Sequence, residues 1–163
     1  MNKKLIPDKV HRILSSFERP NLDKYDQHGQ RKIIKKLQGA IFSKLKSKVP
    51  DVEWITEHKI SDTVRDKIDI FGSYTSNSVK KFIVIELDKW RADQIAKKFI
   101  SRTSLTLKDN VHYFSVCYGG TTNMNANECK KFFTYCKNIT NALCVKRLEK
   151  TFNGIILKSK KWG

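Results

Sequence analysis

The sequence predicts an α/β domain in which helices flank a mixed β-sheet, with a core in the order α-β-β-β-α-β. Two observations lead there. Apolar residues recur at three- and four-residue intervals over residues 29–48, switch to alternation over 52–87, and return to helical spacing from residue 90. The run Phe82-Ile83-Val84-Ile85 has the residue types and the length of a buried strand. A length of 163 residues suits one domain spanning 1–163, large enough to bury a core without disulfides.

Residues 1–27 hold one short apolar-periodic piece (Val10, Ile13, Leu14, Phe17), which Pro20 ends. From Gly29 to Lys48, Ile33, Ile34, Leu37, Ala40, Ile41 and Leu45 mark an amphipathic helix, with Pro50 just past its end. Strands are expected at Val52 to Lys59, Lys67 to Tyr74 and Lys81 to Leu87, with a polar hairpin turn over Ser73 to Ser78. A helix from about Trp90 to Thr103 places Ala92, Ile95, Ala96 and Phe99 on one face and Arg91, Gln94, Lys98 and Arg102 along the other. Val111 to Tyr118 reads as a fourth strand closed by Gly119-Gly120, residues 126–143 as a helix, and Phe152 to Leu157 as an edge strand.

The net charge of +17 exceeds what solubility requires, and it is unevenly placed. Residues 1–50 carry 13 Lys/Arg against 4 Asp/Glu, and residues 101–163 carry 11 against 3, whereas residues 51–100 carry 9 of each. Basic flanks attract a polyanion, and acids gathered between them can hold a divalent cation. Lys35 and Lys36, on the polar side of the 29–48 helix, are candidate nucleic-acid contacts; the bland reading is a solvated face. A membrane surface is disfavoured, because no segment joins a wide apolar face to a basic one. The longest apolar run is far short of a membrane span, and the N-terminus has no signal-peptide core, so the expected location is the cytoplasm. Cys117, Cys129, Cys136 and Cys144 lack the spacing of a zinc site and read as buried free thiols. No phosphate loop, dinucleotide fingerprint or nucleophile elbow occurs; Gly119-Gly120-Thr121-Thr122 reads as a turn.

Three acids carry the chemistry. Asp69 lies within Lys67-Ile68-Asp69-Ile70-Phe71, and Glu86 and Asp88 end the next strand, so by alternation Glu86 and Asp88 point the same way. If the two strands pair as a hairpin, Asp69 approaches both. Such a set of carboxylates suits a hard cation such as Mg²⁺. The pattern resembles the PD-(D/E)XK nuclease superfamily, the restriction endonuclease-like fold: an acid in a central strand, a hairpin, an acid-x-Lys ending the next strand, then a helix. The resemblance spans residues 29–118. It implies Mg²⁺-dependent endonucleolytic hydrolysis of phosphodiester bonds, usually in DNA, with Mn²⁺ as a substitute and Asp69, Glu86 and Asp88 as metal ligands.

This sequence departs from the pattern where Asp88 stands in place of the third-position Lys. Lys89 falls one residue late and is a catalytic candidate only if a local bulge turns it inward to replace that Lys. In a regular strand it faces away, which leaves Lys98 as the better catalytic candidate, orienting the attacking water or the phosphate. Asp88 could also cap the following helix. Arg91, Gln94 and Arg102 on that helix are further nucleic-acid candidates, and Trp90 is the tryptophan nearest the site. His58 and His112 read as core or surface residues, and Trp54, Trp90 and Trp162 as packing anchors rather than base-stacking platforms. The alternative reading is a non-catalytic nucleic-acid-binding module on a degenerate nuclease fold; a structural basic protein of a nucleoprotein assembly is a third. Cutting both strands of a duplex would favour a homodimer, which no residue pattern demonstrates.

Overall fold

The computed structural model describes residues 5–63, 65–89, 91–119, 125–145 and 147–159. The elements are α1 (Ile6–Ser15), α2 (Gln27–Lys48), β1 (Glu53–Lys59), β2 (Lys67–Ser76), β3 (Val79–Asp88), α3 (Ala92–Leu105), β4 (Asn110–Cys117), α4 (Ala126–Leu143) and β5 (Lys150–Ile156). One sheet runs β1-β2-β3-β4-β5 in space. Its first three strands form an antiparallel meander, and β3, β4 and β5 are parallel. Parallel neighbours need a crossover, and α3 and α4 supply the two; a common right-handed sense puts both helices on one face. There Val84, Ile95, Phe99, Tyr113, Cys129 and Phe152 share a core. On the opposite face α1 and α2 pack with Ile70, Ile83, Ile85, Phe114 and Val116. The expected α-β-β-β-α-β order is present from α2 to β4, and β5 closes an edge.

The short N-terminal piece left out of that order is a ten-residue helix. Pro7 opens it at a position that needs no N–H donor, and Ile6, Val10, Ile13 and Leu14 are all buried. Phe17 lies beyond its end yet still packs against the core. Helix α2 starts two residues before the first residue assigned from spacing, because the Asp26 carboxylate accepts the Gly29 N–H at 2.7 Å. The hairpin turn is tighter than its polar composition suggests: Ser76 pairs with Val79, leaving only Asn77 and Ser78 outside the ladder. Both have positive φ, at 52° and 62°, as a two-residue type I′ turn demands.

Trp54 is a packing anchor whose indole N–H donates to the Val49 carbonyl at 3.1 Å. His58 stacks on Phe71, and buried His112 meets the Thr151 hydroxyl at 2.8 Å. Of the four free thiols, three are buried and Cys144 is exposed, because it follows the last turn of α4. Trp90, Trp162 and Gly120-Thr121-Thr122 lie outside the described residues. No described helix is long and apolar enough to cross a membrane.

The turn offers a direct check. A left-handed conformation costs a residue with a Cβ about 1–2 kcal/mol, part of which glycine's unfolded-state entropy offsets. Ser78→Gly should therefore stabilise the fold by about 0.5–1 kcal/mol in urea denaturation. A loss of stability would contradict the I′ turn.

Candidate functional site

Asp69 sits where the sheet is interrupted on both sides. Toward β3, the paired register ends at Ile70–Ile85. Beyond it the strands part, and the Asp69 side chain enters the gap to accept the Leu87 N–H at 2.8 Å. Toward β1, pairs form at Thr56–Ile70 and His58–Ile68 but not between Glu57 and Asp69. Glu57 holds φ 54°, a left-handed conformation costly in a strand. Buried Gln38 of α2 occupies this second break, donating to the Asp69 carbonyl at 2.7 Å and to Glu57 Oε1 at 3.0 Å. Lys35, one turn earlier, forms an ion pair with the same Glu57 carboxylate.

Strand β3 keeps its parallel register with β4 to the end, pairing Glu86 with Ser115 and Asp88 with Cys117. Glu86 and Asp88 point to the α3 side, as alternation requires, and are 0% and 1% exposed. The Ser115 hydroxyl donates to Asp88 Oδ2 at 2.6 Å, and Arg102 Nε donates to Glu86 Oε1 at 2.5 Å. From α3 the Lys98 ammonium reaches all three acids, at 3.4 Å from Asp69 Oδ2, 3.3 Å from Glu86 Oε2 and 3.2 Å from Asp88 Oδ1. It also donates to the Leu87 carbonyl at 3.0 Å. Asp69 and Lys98 keep partial access to solvent, whereas Glu86 and Asp88 are sealed behind them.

Burial, reinforced by the Asp69 charge, pushes Glu86 up to about 8 against the pull of Lys98 and Arg102. Burial also raises Asp88. Burial works against the Lys98 charge, but Asp88, Glu86 and Asp69 outweigh it and hold the ammonium above its ordinary range. The three acids of the cluster thus face two cations, Lys98 and Arg102, and Arg102 is shared further with Asp66.

The donor set suits a hard divalent ion. All three acids offer carboxylate oxygens, and buried Glu86 Oε2 and Asp88 Oδ1 accept no hydrogen bond although both face the same point. That point holds the Lys98 ammonium, whose separations exceed metal–oxygen distances. Among the described residues no three acid, His or Cys side chains are already drawn together as an ion would draw them.

On the α2 side of the fork lies a cleft of about 430 Å³. Gln27, Gln30, Arg31, Ile34, Lys35 and Gln38 form one wall, and Asp69, Lys89 and Tyr118 the other, with Asp69 the one acid. Lys89 faces away from Asp88, as expected of the residue after a regular strand end, and so enters this cleft. Lys36 is exposed and does not line it.

The helix α3 contacts differ from expectation in two respects. Arg102 is not a free surface cation: it is 5% exposed, paired to Glu86 and Asp66, and donates to the Lys67 carbonyl at 2.9 Å. The buried acids beneath α3 draw its cations inward. Asp88 does not cap α3; Arg91 holds the N-cap position without a side-chain cap, and Asp88 is engaged by Ser115 and Lys98. Arg91 pairs with Asp93 at 2.9 Å, and Gln94 is half-buried; neither joins the cluster. Gln38 and Ser115 were overlooked in the sequence, although each is a polar residue at a position where helix or strand spacing demands an apolar one.

No protein-family profile matches the chain, and no curated protein matches it. Among solved structures it is similar to Pyrococcus furiosus SfsA in complex with Ca²⁺, with TM-score 0.39 and 10% identity, over 76% of this chain and 59% of that one. The chain thus spans about three fifths of that protein's length, and a likeness at this level assigns neither family nor activity. The protein is an α/β protein with a five-stranded mixed sheet and helices on both faces.

Truncating one partner of a buried ion pair strands the other charge, at a cost of about 3–5 kcal/mol. Arg102→Met should be destabilising by that order in wild-type background and by less than half as much in Glu86→Gln. A double-mutant cycle in urea measures this. Equal losses in both backgrounds would show that Arg102 acts through contacts other than Glu86.

Proposed function

We propose that the protein is a metal-dependent endonuclease that hydrolyses phosphodiester bonds in DNA. The observation that carries this reading is the convergence of Asp69, Glu86 and Asp88 on one point, with Asp69 also lining a cleft that holds Arg31, Lys35 and Lys89. The PD-(D/E)XK resemblance of Asp69 and Glu86-Leu87-Asp88 supports it. Asp69, Glu86 and Asp88 would hold Mg²⁺, with Mn²⁺ as a substitute. When bound, such an ion supplies an acidified water and offsets charge building on the phosphate.

The chain's own residues do the rest. Arg31, Lys35 and Lys89 bind the phosphodiester backbone, which fixes register without reading sequence. Lys98 orients the attacking water or the phosphate, the role left open by the acid at the third motif position. Arg102 and Ser115 fix the carboxylates of Glu86 and Asp88, and Gln38 fixes the backbone of Asp69. A second reading, a non-catalytic DNA-binding module, is favoured by one observation: Lys98 already neutralises the point where the acids meet.

Incubation of supercoiled plasmid with Mg²⁺ or Mn²⁺ separates the two. Wild type should nick or cut it. Asp69→Asn, Glu86→Gln, Asp88→Asn and Lys98→Met should each reduce cleavage by on the order of 100-fold or more. DNA binding in chelator should survive the acid substitutions, because phosphate affinity comes from Lys and Arg. Lys89→Ala removes one phosphate contact and should have a mild effect. Undiminished cleavage by Asp69→Asn or Glu86→Gln would overturn the site, and binding without cleavage by wild type would select the second reading.

A further inference from the structure

Away from the cleft, helices α1 and α2 together build a second concentration of positive charge. Lys9 and Arg12 of α1 and Lys44 and Lys48 of α2, with Ile13 and Ser16 between them, line a groove of about 340 Å³. No acid lines it; Asp8, Glu18 and Asp51, the acids nearest in sequence, stand outside the lining. Within each helix the cations sit one turn apart, a spacing at which like charges repel. Packing the two helices adds repulsion between the pairs. Arg12 and Lys48 stand in the last turns of α1 and α2, where the helix carbonyl ends favour cations, so the groove's charge is compatible with folding and is open to an anion.

The groove is also ordered. The Lys44 ammonium donates to the Ser16 hydroxyl at 2.9 Å and stands 5.1 Å from the centre of the Phe17 ring. Its charge is thereby fixed at the groove's edge. Arg12 and Lys48 make no ion pair among the described residues, so their charge is available to a ligand.

Helix α2 joins this groove to the cleft. Its 22 residues contain no Asp or Glu, and its cations run from Arg31, Lys32, Lys35 and Lys36 to Lys44, Lys46 and Lys48. Arg31 and Lys35 face the cleft whereas Lys44 and Lys48 lie roughly 100–180° around the helix, so cleft and groove are distinct faces separated by about 25 Å along the axis from Arg31 to Lys48. With about 3.4 Å between phosphates along one strand, that is roughly seven base pairs of duplex.

We propose that the α1–α2 groove is a second phosphate-binding site that holds the backbone of duplex nucleic acid at a distance from the cleft. The protein thereby prefers polynucleotide tracts to short oligonucleotides. The inference rests on the reading of the ligand as nucleic acid but not on catalysis. The groove contributes affinity and orientation through Arg12, Lys44 and Lys48, and takes no part in chemistry.

The test compares wild type with the triple variant Arg12→Gln, Lys44→Gln, Lys48→Gln, which keeps the side-chain stems and helix propensity. Binding is measured by fluorescence anisotropy in chelator over a salt series. The probes are a duplex of about 24 base pairs and a hairpin with a stem of about six, chosen to lie above and below the span of α2. For the long duplex at about 0.1 M salt, affinity should fall by about 10- to 500-fold, and the slope of log affinity against log salt should shrink by about 2–3. Affinity for the short hairpin should stay within about threefold, since the cleft still holds it. The variant should keep its far-UV circular dichroism and a cooperative melt, its melting temperature lowered by only the few degrees that the lost Lys44–Ser16 contact and helix-end charges account for, which separates lost contacts from lost structure.

An unchanged salt slope for the long duplex overturns the inference. So does tighter binding of wild type to phosphatidylcholine vesicles containing phosphatidylserine than to duplex, which would make the groove a membrane contact. Plasmid cleavage is read in parallel: its absence in wild type sinks the nuclease reading while leaving a lost salt slope to support the groove.

Discussion

The geometry of the site depends on two cations one turn apart on α3. Lys98 and Arg102 both point toward the sheet and meet Glu86, Asp88 and Asp69 there. Burying an unpaired carboxylate costs several kcal/mol, so two of them at the end of β3 are tolerable only with counter-charge in place. The pairing therefore ties α3 to β3 alongside the apolar burial of Ile95 and Phe99. It also leaves an imbalance, since three acids face two cations. That imbalance is relieved by a proton on Glu86, which burial and Asp69 favour, or by a second cation.

The same cluster explains the fork in the sheet. Asp69 can reach Glu86 and Lys98 only if β2 and β3 stop pairing at Ile70 and Ile85, and its carboxylate compensates by taking the Leu87 N–H. Gln38 makes the matching repair on the β1 side, where Glu57 leaves the ladder. The cleft opens at the interruption, with the basic wall of α2 on one side and Asp69, Lys89 and Tyr118 on the other. The two breaks in the ladder and the buried carboxylates Glu86 and Asp88 thus fall in one region of the sheet.

Much of this was legible in the residues. Alternation along Ile85-Glu86-Leu87-Asp88 put two acids on one face, and the apolar period located most elements to within a few residues. Arg102 misled, because polar residues at helical spacing normally face water, and that rule inverts where acids are buried beneath the helix. Asp88 resembled a helix cap because sequence cannot show that Ser115 on a neighbouring strand will engage it. Glu57 and Gln38 gave no motif at all. Their roles arise from a register break that depends on three strands and a helix at once. Helix α1 showed only as a short apolar-periodic piece ahead of Pro20, yet its Ile6, Val10 and Leu14 are fully buried.

The central claim is that the three carboxylates form a place for a cation which the Lys98 ammonium holds in the free protein. Anomalous diffraction from crystals grown with Mn²⁺ tests it most directly. The account requires an anomalous peak within about 2.0–2.2 Å of oxygens from Asp69, Glu86 and Asp88, with Lys98 swung toward the cleft and no such peak in Asp69→Asn. Lys98 unmoved among the three acids at saturating Mn²⁺, with no peak beside them, would contradict it.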